Sequence, residues 1–313
     1  MKKILALLLA ALLVFALAAC SGSSESGESS GEPAATEAPA PPTPAEDNAV
    51  MDMSFTIPEG YKTVERNIEK TADGTLVDKS FTYAFDDESQ IIIGYTYGKE
   101  LTDAVPQERI DNAGTAEYGG KSFYIIEEGK TKMALSQDDK VIYGIGYTFA
   151  DAVDNEKFEN LMSSVNFTGA TTTEEGDDSL YDIRYSLADC GNVLSTNTVL
   201  TVFPDGETDT KSVSWKFGED QSDPDYRFLI RVYKNSTVEE QLESDKEYEE
   251  QEINGVTFTV IKPSTDDKPY SYFIQHGSDV YKIYNSGSGG WFSTRSEECT
   301  AAFEALINSI SFK

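Results

Sequence analysis

Apolar and polar residues alternate along much of the chain. In Ser80-Phe81-Thr82-Tyr83-Ala84-Phe85, in 213–217 and in Tyr281-Lys282-Ile283-Tyr284 every second side chain is apolar, so each segment predicts a strand with one buried face. The spacing changes to that of a helix over 101–112, 157–165, 238–250 and 297–309, where apolar residues recur every three or four positions. Strands dominate and follow one another through turn residues, which predicts antiparallel sheets packed with helices, an α+β class.

The pattern occurs twice. Phe158, Leu161, Met162, Ser164, Val165 and Phe167 have the same spacing as Phe303, Leu306, Ile307, Ser309, Ile310 and Phe312, one helix face followed by an aromatic. Upstream, Tyr118-Gly119-Gly120-Lys121 parallels Ile253-Asn254-Gly255-Val256, and Ile57-Pro58-Glu59-Gly60 parallels Phe203-Pro204-Asp205-Gly206 more loosely. Repetition at this scale predicts a tandem duplication, with one α+β module over 51–168 and a second over 179–313. The 169–178 connector between them gathers Glu174, Glu175, Asp177 and Asp178, the composition of a boundary.

The N-terminus reads differently. Lys2 and Lys3 precede an apolar run that closes on Leu17-Ala18-Ala19-Cys20, the arrangement of a secretory leader over 1–19 and too short for a permanent span. Residues 20–50 are Ser, Gly, Glu, Ala, Pro and Thr with almost no large apolar side chain. Such a composition predicts a disordered spacer, because it buries too little surface to offset ordering entropy. Leu17-Ala18-Ala19-Cys20 resembles the lipobox of bacterial lipoproteins. The resemblance implies cleavage between Ala19 and Cys20, acylation of Cys20 with chains such as palmitate, and residence on the extracytoplasmic face of the cell membrane. The order of strands, helix, hairpin and terminal helix in both modules resembles the Mog1/PsbP-like fold, whose members are mostly accessory or protein-binding modules.

Charge removes whole classes of function. The 313 residues carry 55 acidic and 25 basic side chains, a net charge of -30, so nucleic acid is excluded as a partner by long-range repulsion. The two modules share the load equally: 22 acidic against 11 basic in the first and 23 against 12 in the second, net -11 each. A single histidine, His276, excludes the zinc and catalytic motifs that need two, and its setting reads as a strand running into a turn. Neither a nucleophile elbow nor a complete phosphate loop is present: Gly144-Ile145-Gly146 lies inside an alternating strand, where the glycines permit a bulge or close packing. No catalytic residue, metal ligand or cofactor is assigned.

Three features keep two readings each. The acidic run Glu239, Glu240, Glu243, Asp245, Glu247, Glu249, Glu250, Glu252 is a solvated helix face or a surface for a cationic partner. Cys190 and Cys299 are a disulfide, permitted outside the cytosol, or two buried thiols. Trp291 and Phe292, which follow the Gly/Ser-rich start of the 285–292 loop, are anchors of a recognition surface or pack under the terminal helix. The resulting expectation is a non-enzymatic, membrane-anchored lipoprotein whose modules bind an envelope protein or an extracellular ligand. The alternatives are a solute or glycan receptor using the 285–292 loop, and a hydrolase built on a carboxylate pair.

Overall fold

A computed structural model of the chain describes residues 49–50, 52–167, 180–220, 224–242, 247–261, 271–285 and 297–313. These residues fall into two compact units, one drawn from Met1–Lys62 and Thr82–Thr172, the other from Thr63–Phe81 and Thr173–Lys313. The grouping differs from the 51–168 and 179–313 division in one place: residues 63–81 count with the second unit.

Among the described residues 54% are strand and 16% helix. The α+β expectation is therefore corrected to a mostly-β class built of antiparallel strands. In chain order the first part of the fold comprises β1 (Ala49–Val50), β2 (Met53–Ser54), β3 (Tyr61–Thr71), β4 (Leu76–Phe85), β5 (Gln90–Tyr97), α1 (Leu101–Ala104), α2 (Gln107–Asp111), β6 (Gly114–Tyr118), β7 (Lys121–Glu128), β8 (Thr131–Asp138), β9 (Val141–Thr148), α3 (Asn155–Ser163) and β10 (Asn166–Phe167). The rest comprises β11 (Ile183–Arg184), β12 (Val193–Val202), β13 (Thr208–Phe217), β14 (Tyr226–Tyr233), α4 (Val238–Gln241), β15 (Tyr248–Ile253), β16 (Val256–Ile261), β17 (Ser271–His276), β18 (Asp279–Asn285), α5 (Glu297–Ser309) and β19 (Ser311–Phe312).

Two features of the sequence keep the helices short. The predicted 101–112 helix breaks at Pro106, with Val105 extended at φ -132 and ψ 133, as sterics require of a residue preceding proline. The predicted 238–250 helix stops after one capped turn at Gln241, and the acidic run continues as β15, paired along its length with β16. Tyr248, Glu250 and Glu252 face solvent from β15, which ends the strand order of its sheet. Charge on such a strand blocks edge-to-edge association.

The same strand order recurs. In the first unit neighbouring strands run β5-β9-β8-β7-β6, and in the second β14-β18-β17-β16-β15. In each, the terminal helix buries the residues the spacing predicted: Phe158, Leu161, Met162 and Val165 in one, Phe303, Leu306, Ile307 and Ile310 in the other. Full burial of a side chain of this size contributes roughly 1.5–3 kcal/mol. The serines at the ends of these helices behave alike. Ser164 Oγ donates to the Leu161 carbonyl at 2.6 Å and accepts from the Thr56 amide at 3.0 Å. Ser309 Oγ donates to the Leu306 carbonyl at 2.7 Å and accepts from the Ser186 amide at 2.9 Å. Each hydroxyl ties its helix end to the segment that opens its unit. The hairpin turns match as well, with Gly119 and Gly120 at φ +55 and +83 and Asn254 and Gly255 at +52 and +80, the left-handed pair of a type I′ turn.

One proposed parallel is wrong. Gly60 leads into β3, whereas Phe203–Gly206 closes the β12–β13 hairpin through Phe203 N to Glu207 O at 2.9 Å. The equivalent turn is Thr71–Thr75, closed by Thr71 N to Thr75 O at 2.9 Å. Gly144 and Gly146 produce no bulge, since β9 keeps an unbroken register with β5 and β8. They allow close packing: a Cβ on Gly144 would stand 3.3 Å from Leu135 Cδ2.

Ser164→Ala and Ser309→Ala are each expected to lower the unfolding free energy by about 0.5–1.5 kcal/mol through the lost hydrogen bonds. Urea denaturation of the two variants measures this, and an unchanged midpoint for either removes its serine from the account.

Candidate functional site

In the second unit, strand alternation divides the side chains of β3, β12, β13, β14, β18 and β17 between two faces. One face is apolar: Val213, Trp215, Phe217, Phe228, Ile230, Tyr281 and Ile283 share a core with Cys299, Phe303, Leu306 and Ile307 of α5. The other is polar and charged. Register aligns Glu69 with Asn197, Asn197 with Ser214, and Ser214 with Leu229. It also places Lys216 opposite Arg227, Ser212 opposite Arg231, and Arg231 opposite Lys282.

The ionic contacts on this face are uneven. Glu69 accepts from Lys216 Nζ at 2.6 Å and from Ser195 Oγ at 2.8 Å. Burial alone would raise its carboxyl, but the Lys216 ammonium, both hydrogen bonds and the Arg227 guanidinium outweigh burial and hold it below the ordinary carboxylate range. Glu65 shows the reverse: burial pushes its carboxyl up, and the Arg231 charge offsets this only in part. Arg227 donates from Nε and Nη2 to Ser214 Oγ at 3.1 and 2.7 Å, and burial lowers its pKa from the usual guanidinium value. Arg231 meets the Tyr233 hydroxyl. Among the described residues neither guanidinium has a carboxylate within salt-bridge distance. Lys282 Nζ sits 5.2 Å from the ring centroids of both Phe273 and Tyr284, a favourable cation–π position. Asn67 Oδ1 and Asn197 Oδ1 are buried without a hydrogen-bond donor.

The matching face of the first unit has no such chemistry. Ile126, Met133, Leu135 and Ile142 are covered by Leu101, Ala104, Val105 and Ile110 of the α1–α2 segment. A cavity of about 340 Å³ opens there between Leu101, Ile110, Tyr124 and Gln137. Its amide is already engaged, Gln137 Oε1 accepting from the Leu101 amide at 2.9 Å and Nε2 donating to Glu100 at 2.6 Å.

The residues singled out from the sequence lie elsewhere. Cys20, the Ala19–Cys20 junction, Trp291 and Phe292 fall outside the described residues. Cys190 and Cys299 are free thiols in the structure, both buried. Cys190 Sγ lies 3.4 Å from the Ala302 carbonyl, and Cys299 Sγ accepts from Asn285 Nδ2 at 3.2 Å. Burial pushes both thiols up to about 11, so neither is a nucleophile at neutral pH. His276 stacks on Phe312 at 4.1 Å and serves packing. The sequence signal for the charged face is Arg227 and Arg231, which stand four apart in an alternating strand of a strongly acidic chain.

No helix among the described residues is long and apolar enough to cross a membrane. No family model and no curated protein sequence matches the chain. Solved structures with partial likeness include the immunity protein TplEi of the T6SS from Pseudomonas aeruginosa complexed with "L" peptide, at TM-score 0.25 and 9% identity over 84% of this chain and 95% of that one. MucB in complex with MucA(peri) follows at TM-score 0.20 and 8% identity, covering 81% and 93%. At these scores the likeness carries no conclusion about fold or role.

Glu69→Gln is expected to cost about 1–3 kcal/mol at pH 7, since it leaves Lys216 unpaired. A depressed folded-state pKa means that the Glu69 contribution is complete above the ordinary carboxylate range and lost as pH falls through the folded value, so the deficit should shrink in acid. Glu65→Gln should leave stability at pH 7 equal or higher, because a raised folded-state pKa makes the carboxylate a cost that protonation removes. Denaturant titrations from pH 3 to 7 measure both, and equal behaviour of the two variants contradicts the assignment.

Proposed function

We propose that the chain is a non-enzymatic lipoprotein, anchored through Cys20 on the extracytoplasmic face of the cell membrane, that binds a partner through the cationic sheet face of its second unit. The observation that carries the binding role is that face: two arginines that, among the described residues, have no carboxylate within salt-bridge distance, held by a protein of net charge -30. A buried or half-buried guanidinium without a counter-ion is costly to keep, and selection for stability alone would replace it.

The anchor rests on the sequence. Several acyl chains on Cys20 give stable attachment where one would not, and the Ser/Gly/Pro-rich 20–50 segment provides reach between membrane and folded units. The matching strand orders and paired serine ties support an origin by tandem duplication, after which the two units diverged: one covered its second sheet face with α1 and α2, and the other kept charge on it.

Cys20→Ala should abolish incorporation of labelled palmitate and release the protein from the membrane fraction. Cross-linking from Lys216 or Lys282 in intact cells should capture a partner. Retention of the Cys20→Ala variant in the membrane contradicts the anchor, and cross-linking that captures nothing from either lysine contradicts the binding face.

A further inference from the structure

The cavity of the first unit has a lining unlike the rest of the chain. About 340 Å³ of space is walled by the hydroxyl residues Thr102, Thr115, Ser122 and Tyr124 and by the apolar side chains of Leu101 and Ile110. None of these hydroxyls has a hydrogen-bond partner among the described residues. Two amides complete the wall, Gln137 fixed by the Leu101 amide and Glu100, and Gln107 by its bond to Asp111 at 2.8 Å. Among the described residues that line the cavity none is charged, in a chain with 55 acidic and 25 basic side chains.

The second unit supplies an internal comparison. Gln275 Oε1 accepts from the Val238 amide at 3.1 Å as Gln137 Oε1 accepts from that of Leu101, which equates Thr102 with Glu239. The matching turns equate Thr115 with Glu250, and the two hold the same register position: Thr115 lies opposite Tyr124, and Glu250 opposite Thr259. The same frame thus carries exposed glutamates at two of the hydroxyl positions. An uncharged, hydroxyl-lined cavity is therefore particular to the first unit and no by-product of the shared frame.

The cavity's volume falls at the lower end of the range of small-molecule sites, roughly 300–1,000 Å³. An ionic ligand would meet no counter-charge on these walls, and burying a charge without one is costly. A wholly apolar ligand would take water from the hydroxyls and return no hydrogen bond. Each hydroxyl both donates and accepts, so the fitting ligand carries groups that do the same, and it keeps apolar surface for Leu101, Ile110 and the Tyr124 ring. A sugar has both, with hydroxyls around the edge of the ring and C–H groups on its faces. We propose that this cavity binds a neutral saccharide of about one or two rings, with Tyr124 and Thr115 as its principal contacts. The site is independent of the charged face of the second unit, so either can fail while the other stands.

The test is saturation-transfer difference NMR on the full chain, in a detergent without a sugar headgroup. The probes are glucose, galactose, N-acetylglucosamine, cellobiose, lactose and chitobiose. At least one should bind with a Kd of about 1 mM or tighter. Tyr124→Phe, which keeps the ring and loses the hydroxyl, should weaken that binding severalfold, the scale of one neutral hydrogen bond. Thr115→Glu installs the residue that the second unit carries at this position and should weaken it at least about tenfold, by placing an unpaired charge at the cavity. Thr115 is exposed and Glu250 shows that the frame accommodates glutamate there, so the variant should fold, as melting curves will establish. Should it fail to fold, Thr102→Glu, at another exposed position, takes its place with the same expected loss. Binding of none of the six sugars, or unchanged affinity in either the phenylalanine or the glutamate variant, overturns the proposal. So does tighter binding of glucuronate or glucosamine than of glucose, which would assign the cavity to an ionic ligand.

Discussion

The pleat of the β-strand is the constraint on which the second unit depends. Because consecutive side chains leave a strand on opposite sides, each residue committed to the core fixes the exposure of its neighbours. In β14, Phe228, Ile230 and Val232 pack in the core with the α5 residues, so Arg227, Leu229 and Arg231 must stand on the other face. A shift of one residue in register would drive both guanidiniums into the apolar core. The fold and the charged face are therefore one property of the register.

A common frame can be separated from what differs between the units. Shared are the strand order, the helix that closes each unit, and the serine hydroxyl that joins the end of that helix to the opening segment. What differs is the second sheet face. In the first unit α1 and α2 cover Ile126, Met133, Leu135 and Ile142 of β7, β8 and β9. The second unit carries Lys216 on β13, Arg227 and Arg231 on β14 and Lys282 on β18. The frame holds each unit together, and the divergent face is where a specific role can arise.

Much of this was legible in the sequence. Alternation located Val213–Phe217 and Tyr281–Tyr284 as strands, and the six matched positions from Phe158 to Phe167 and from Phe303 to Phe312 located the closing helices because their spacing records one buried face. The acidic stretch after Val238 misled, since glutamate-rich helices and charged edge strands share a composition and only pairing with β16 distinguishes them. The α+β expectation failed for the same reason, compounded by Pro106. The candidate site was hidden because its residues come from strands far apart in the chain: Glu69 and Lys216 are 147 positions apart, and no local motif announces a surface assembled by register.

The central claim is that the arginines of the second unit are retained for binding rather than for stability. Replacing Arg227 by methionine keeps the length of the side chain and removes a charge that burial disfavours. The unfolding free energy of Arg227→Met, measured by urea denaturation at pH 7, tests the claim most directly. Unchanged stability or a gain is the predicted result, because burial disfavours this charge and no carboxylate among the described residues stands within salt-bridge distance of it. A loss of about 3–5 kcal/mol, the cost of removing one partner of a buried charge pair, would show that Arg227 belongs to the framework, and would contradict the account.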